Sequence, residues 1–467
     1  MKKKQIFVLL TIFAFISVSA IALFATKTTA AAAPVIIDYG PEAIDATPEM
    51  LGEDEIAMRE YAAEVGAAVA TGASPIGDPA TIGEELLITV SDFVYGDYEE
   101  TFEVIMYGTH GIILLAYDYY DAVTDEYVFA NPNNIWRDED RISTANLTYL
   151  LHEFDTNIYP TDTQYFGELI ARGDEGQKVW VLIHNIRDES YYEDFEYYVA
   201  GYFSSSENAE NNKNMFHIDS YDWQNRVGPD GARPYLYEGV FAHEFEHMIH
   251  FDQDSDEPSW VDEGLADLAG YLCGYGHADG HLMYYMAYHP MTALTFWGGQ
   301  LEDYGMCYLF QLYLLEQYGI DFIVALVQEQ ANGIEGIENT LAAFGHSESF
   351  DEIFEVWTIA NYLDDSSLGD GEYGYECLDI GSDDTRGWTI DYAVEYWNDP
   401  PNGADTGLQP RDSAWFFDIE PQPYTAHYFH IRNGMPTTLI LDGDDFSGTL
   451  AHSGTYEWYS GANAWAW

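Results

Sequence analysis

Residues Val240 to Gly270 read VFAHEFEHMIHFDQDSDEPSWVDEGLADLAG. His243 and His247 stand four residues apart, so on a helix their imidazoles project from one face about one turn apart and can chelate a single ion. Phe241, Phe245, Met248 and Ile249 give that helix an apolar side to bury. Glu244 follows the first histidine, where a carboxylate can take a proton from a water that the ion activates. This HExxH pattern is short enough to arise by chance. His152-Glu153 illustrates the hazard, because Thr156 stands where a second histidine would be needed.

A second cluster at a workable distance gives the first its weight. After an acidic turn containing Pro258, WVDEGLAD opens a new helix that carries Glu263 as a third ligand and Asp267 one turn later. Three protein ligands leave a fourth position for water, which is the catalytic zinc pattern, whereas closed four-ligand sites are structural. Asp267 is suited to accept the free ring N–H of a ligand histidine and so fix its tautomer.

With both clusters in place, HEFEH followed by WVDEGLAD resembles the gluzincin metallopeptidases. Thermolysin-like enzymes share the HExxH helix and the downstream ExxxD helix, and aminopeptidase-N-like enzymes share the WxxEGxA flavour. Nearest in texture are the hyicolysin-like peptidases. The similarity runs from about Thr148 to Leu363, taking in FDTNIYP, MFHID, DYGMCYLFQLYLLEQYG and the late helix with Trp357. It implies zinc ligands at His243, His247 and Glu263, Glu244 as general base, and an extracellular peptidase. Two departures limit it. Only 15 residues separate His247 from Glu263, fewer than in thermolysin-like enzymes, and the Gly-x-Met-Glu-Asn motif of aminopeptidases is missing upstream of His243. An endopeptidase is therefore favoured over an aminopeptidase.

Gluzincins place a Tyr or His from the helical half near the scissile carbonyl, where a donor stabilises developing charge. Tyr304 is the choice here, against the plain alternative of an aromatic packing residue among 38 tyrosines. His217, His250 and His281 read as polar core or surface residues rather than ligands. MFHID (215–219) reads as an edge strand on which a peptide can lay its backbone. Turn-borne acids in DQDSDE (252–257) and DGDDFSG (442–448) offer oxygen ligands for calcium, though neither fits the twelve-residue calcium loop.

The rest of the chain sets the context. The N-terminus, MKKKQIFVLLTIFAFISVSAIALFATKTTA, has a basic start, an apolar run and small residues, so 1–30 reads as a secretory signal peptide; an uncleaved anchor is the alternative, the run being just long enough to span a bilayer. Residues 31–83, rich in Ala, Gly, Pro and acid, read as a propeptide or linker, with no inhibitory ligand standing out. A zincin-type metallopeptidase module is expected over 84–365, and a small, truncated-looking β-sandwich over 366–467, with the natural chain continuing past Trp467. The module is α+β: LLITVSDFVYG, FEVIMYG, GIILLAYDYYD, KVWVLIHNI, YYVAGYF and MFHID read as strands, and the helical pattern begins past Pro234. Asp364–Gly374 reads as a linker.

Eighty-one acidic residues against 16 basic ones give a net charge of −65, which repels nucleic acid and anionic membranes. Such self-repulsion points to a saline habitat or to bound divalent cations. Three cysteines exclude a disulfide-dense scaffold. The expectation is a secreted, zinc-dependent endopeptidase that acts on protein or peptide substrates and keeps no stable membrane span once its signal is removed. The alternative is an inactive surface or binding protein that retains the fold. Retention of Glu244 argues against it, because a structural zinc needs ligands but no base.

Overall fold

The computed structural model describes residues 42–47, 81–130, 138–173, 176–193, 195, 197–380, 394–397, 423–426, 429–432, 449–451 and 458–460. The expected signal peptide and most of the expected propeptide lie outside these residues. The chain is a mixed α/β protein whose described residues fall into two compact units.

One unit comprises residues within 38–285 and 296–350. Its strands are β1 (Glu42–Asp45), β2 (Glu85–Val90), β3 (Tyr98–Tyr107), β4 (Gly111–Leu115), β5 (Tyr119–Asp121), β6 (Glu126–Val128), β7 (Ile142–Ser143), β8 (Val179–His184), β9 (Tyr197–Phe203) and β10 (Asn214–Asp219). Seven of them form one mixed sheet in the order β1-β9-β10-β8-β4-β3-β2, and β5, β6 and β7 make a small separate ladder. β4, β8 and β10 run parallel to one another, while β9 is antiparallel to β10 and β3 to β4. β4, β8 and β10 are buried along their whole length, as their unbroken apolar runs imply for strands covered on both faces.

Two placements differ from the sequence reading. MFHID is not an edge strand: β10 pairs with β8 on one side and β9 on the other. An edge strand and a central strand carry the same alternation, so the pattern could not separate them. The sheet also gains β1 from within the segment expected to be propeptide or linker, paired in parallel with β9.

One face of the sheet is filled by Ile88, Phe102, Val104, Ile112, Leu114 and Trp180. Against β9 and β10 lies the helix Leu236–Gln253, its Phe241 and Phe245 packed edge-on against Phe154, with ring centroids at 6.5 and 5.1 Å, and Phe241 against Phe216 at 5.6 Å. The helix Ser259–Leu272 is wedged between that helix and Leu301–Tyr318. Gly264 permits the approach, since a methyl group there would lie 2.7 Å from the Cys307 carbonyl oxygen. Helices Ile320–Val327 and Ile334–Phe344 complete this half.

The other unit holds described residues within 286–295 and 351–460. Its main helix ends at Leu363, and Asp364, in the left-handed region at φ 42°, accepts the amides of Tyr375 at 3.0 Å and Ile380 at 2.7 Å. The stretch read as a linker is thus a loop tied back to a helix end. Further along, Val394–Trp397 pairs in parallel with Phe429–Arg432, and Thr449–Ala451 pairs antiparallel with Trp458–Ser460. The remainder of the expected sandwich, including Asp442–Gly448, lies outside the described residues. Cys273, Cys307 and Cys377 form no disulfide. Among the described residues no helix is long and apolar enough to cross a membrane.

One buried polar chain under the sheet makes the fold pH-sensitive. His217 on β10 places Nε2 2.7 Å from Glu207 Oε2 and Nδ1 3.2 Å from His184 Nε2. Burial pushes the Glu207 carboxyl up to about 8, with the charge of Asp97 adding to it, and burial holds His217 down at about 3. In the unfolded chain a glutamate loses its proton near about 4.3. The raised carboxyl therefore contributes stability that is fully present below that value and is lost as pH rises through about 8. Glu207→Gln keeps the hydrogen-bonding shape without the charge. Urea midpoints measured across this range are expected to fall with rising pH in the wild type relative to Glu207→Gln, and parallel profiles would refute the assignment.

Candidate metal centre

The helix Leu236–Gln253 delivers both histidines to one point, with His243 Nε2 and His247 Nε2 3.0 Å apart. The next helix brings Glu263 Oε2 to 3.3 Å from His243 Nε2 and 3.5 Å from His247 Nε2. A fourth group arrives from β1: Asp45 Oδ2 lies 3.6 Å from His247 Nε2 and 4.0 Å from His243 Nε2. Ligand atoms of all four residues fall within 4.8 Å of one another, and all four are buried. Donors bound at ~2.0–2.1 Å around a tetrahedral ion stand roughly 3.3 Å apart, so the three helix-borne groups are spaced as such ligands are.

Chemistry agrees with spacing. Neither Glu263 oxygen has a hydrogen-bond partner, although the side chain is wholly buried. An uncompensated buried carboxylate is costly, and a cation at the focus of the four residues would meet it. These buried His, Asp and Glu groups can hold a metal ion.

The imidazoles are oriented from behind. His243 Nδ1 is 3.1 Å from Asp267 Oδ1, and His247 Nδ1 is 3.2 Å from Asp262 Oδ1. At His243 the Asp267 carboxylate can hold the proton on Nδ1 and leave the Nε2 lone pair facing the centre, whereas Asp262 approaches His247 Nδ1 without hydrogen-bond geometry. Asp267 is itself held by His281, whose Nδ1 lies 2.7 Å from Oδ2. Burial alone would raise the Asp267 carboxyl, but the charges and hydrogen bonds of His281 and His243 outweigh it and hold the group well below the usual carboxylate range.

Glu244 sits beside this set. Its side chain is fully buried, with Oε2 3.3 Å from Thr47 Oγ1 and Oε1 without a partner. Burial, and then the negative charge of Asp45, push its carboxyl well above the ordinary range. Gly201 on β9 makes room for it, because a methyl at 201 would lie 2.5 Å from Oε1. Tyr304, in the first turn of Leu301–Tyr318, is buried and donates its hydroxyl to the Asp45 carbonyl oxygen at 2.7 Å, with its ring 4.8 Å from that of His281.

The sequence-predicted residues His243, His247, Glu263, Glu244, Asp267 and Tyr304 are therefore gathered in one place. Sequence reasoning missed Asp45, Thr47, Asp262 and His281. Asp262 was within reach, since it directly precedes Glu263; Asp45 and Thr47 lie in a low-complexity stretch with no motif around them. A second group, Glu246, His250 and Asp262, also has ligand-type atoms within 4.8 Å of one another. There His250 Nδ1 is 3.0 Å from Asp262 Oδ1 and 3.4 Å from Glu246 Oε1. Burial opposes its charge, but Glu246, Asp262 and Glu257 outweigh it and lift the imidazole to about 9. In the spacer considered for calcium, Asp252 is engaged by Arg172 and the Ile170 amide, and Glu257 by the Gly333 amide at 2.6 Å. No family model and no curated protein matches this chain.

Asp267→Asn removes the charge behind His243 while keeping its size. Metal affinity, read by competition with a chromophoric chelator, is expected to drop by about 10–100-fold with the far-ultraviolet circular dichroism unchanged. An unaltered affinity would show that Asp267 has no part in the centre.

Proposed function

We propose that the protein is a secreted zinc-dependent endopeptidase. The observation that carries this reading is the convergence of two histidine Nε2 atoms and the Glu263 carboxylate, which makes no hydrogen bond, beside a further acid, Glu244, that has no need to be a ligand. Imidazole and carboxylate together suit zinc better than calcium or magnesium, which favour all-oxygen sets. When bound, zinc would supply Lewis-acid polarisation of a peptide carbonyl and lower the pKa of a water toward neutrality.

The chain's own residues account for the remainder. Glu244, adjacent to His243, is placed to accept a proton from water and to pass it to the amide nitrogen as the C–N bond breaks, while the hydroxyl adds to the carbonyl carbon. Tyr304 is 2.7 Å from a peptide carbonyl oxygen, that of Asp45, so its hydroxyl is placed to donate to a bound peptide. Asp267 is placed to keep His243 in the ligand tautomer, and Asp262 lies 3.2 Å from His247 Nδ1. Export is supported by the N-terminal leader and suits the acidic composition.

Glu244→Gln tests this directly. Casein or gelatin hydrolysis, assayed before and after limited proteolysis, is expected to fall by roughly 10²–10⁴-fold, with zinc content by elemental analysis unchanged. A chelator is expected to abolish wild-type hydrolysis and zinc to restore it. Equal behaviour of the two proteins would favour a non-catalytic binding protein.

A further inference from the structure

β1 is an unusual neighbour for such a centre. It comes from far upstream of the helices, lies along β9, and carries side chains into the site itself. The pairing runs Glu42 with Tyr197, Ala43 with Tyr198 and Ile44 with Val199, and then skips a residue so that Asp45 stands opposite Gly201. A bulge of this kind re-aims a side chain. Here it accompanies the Asp45 carboxylate lying among His243, His247 and Glu263.

The rest of the segment is held as firmly. The Ala46 amide donates to the Gly201 carbonyl at 3.2 Å, and the Phe203 amide donates to Thr47 Oγ1 at 2.8 Å. The Thr47 hydroxyl lies 2.9 Å from Asp45 Oδ1 and 3.3 Å from Glu244 Oε2, and the Thr47 amide donates to Asp45 Oδ2 at 2.9 Å. Tyr304 binds the Asp45 carbonyl, His281 Nε2 lies 3.3 Å from the Ala43 carbonyl, and Arg233 forms a two-pronged ion pair with Glu42. An extended peptide added to a sheet edge, with its carbonyls met by side-chain donors, is bound as a substrate chain would be.

We infer that residues 42–47 are an intramolecular inhibitor, with Asp45 occupying the fourth metal position and Thr47 covering Glu244, so that this form of the chain is latent until cut C-terminal to Thr47. The inference rests on the metallopeptidase reading of the same site. Its logic is one of coordination. His243, His247 and Glu263 alone leave a position open for water, whereas adding Asp45 closes the set at four, the pattern of a structural site. The proton acceptor is occupied at the same time, because Thr47 lies against it. Tethering places the segment at an effective concentration on the order of millimolar, which a dilute substrate does not overcome. Release needs only hydrolysis of one peptide bond, after which the six residues must hold the cleft without that advantage.

The test uses the full chain loaded with Co²⁺, whose visible absorption reports coordination, with azide as a probe for an open position. Three samples are compared: uncut wild type, Asp45→Asn, and wild type cut by limited proteolysis with the new N-terminus located by mass spectrometry. Uncut wild type is expected to be indifferent to azide, while Asp45→Asn and the cut chain respond to it. The cut chain is also expected to hydrolyse an internally quenched peptide at least about tenfold faster than the uncut chain, the tether being lost. The cut wild type decides the matter should Asp45→Asn fail to fold. An azide response in uncut wild type equal to that of the other two would overturn the inference, as would a cut chain that loses its metal and unfolds, since β1 would then be a permanent strand. If azide binding opens as expected but no peptide is cut, Asp45 remains a ligand and the metallopeptidase reading is what fails.

Discussion

A carboxylate buried without a hydrogen-bond donor is the constraint around which this protein is organised. Glu263 lies in the interior between three helices, its Oε2 facing the Nε2 atoms of His243 and His247 and neither oxygen hydrogen-bonded. Leaving such a charge unanswered costs several kcal/mol on the order-of-magnitude scale of buried ions. Each neighbouring feature bears on that problem. Asp267 holds the outer nitrogen of His243 and is steadied in turn by His281, and Asp262 lies behind His247.

Packing makes this geometry rigid. The HEFEH helix is set on β9 and β10 by Phe241 and Phe245, which interlock with Phe154 and Phe216, so rotating it would expose aromatic area on one side and bury charge on the other. The adjoining helix is fixed by a close approach that only glycine allows at position 264, where added volume would cost about 1–3 kcal/mol. Gly201 plays the matching part under Glu244. Small residues thus sit where backbones must approach, and aromatic ones where faces must lock.

The same arrangement explains how a strand from upstream can act on the centre. β9 would otherwise end the sheet beside the His243, His247 and Glu263 cluster, and an unpaired edge invites another strand. β1 takes that place, and its bulge accompanies the insertion of an aspartate among the imidazoles. On the proposed reading latency and substrate recognition draw on one surface, since Tyr304 and Glu244, the groups proposed for turnover, are ones that β1 engages.

Local periodicity accounts for what could be read in advance. Two histidines four apart share a helix face whatever surrounds them, and Glu263 and Asp267 share another for the same reason, so these residues were legible from spacing alone. The strands β2, β3, β4, β8, β9 and β10 were legible too, since runs of β-branched and aromatic residues between turn formers need no long-range information. Strand order is different in kind. Whether MFHID lies at an edge or in the middle depends on which strands fold beside it, and nothing in its own five residues encodes that choice. Asp45 and Thr47 were invisible for a related reason: their significance comes from a parallel pairing with residues more than 150 positions away, and a short acidic, alanine-rich stretch has no periodicity with which to announce it. Side chains within a few residues of each other are placed by the backbone; those that meet across the fold are placed by packing, and only the folded chain brings them together.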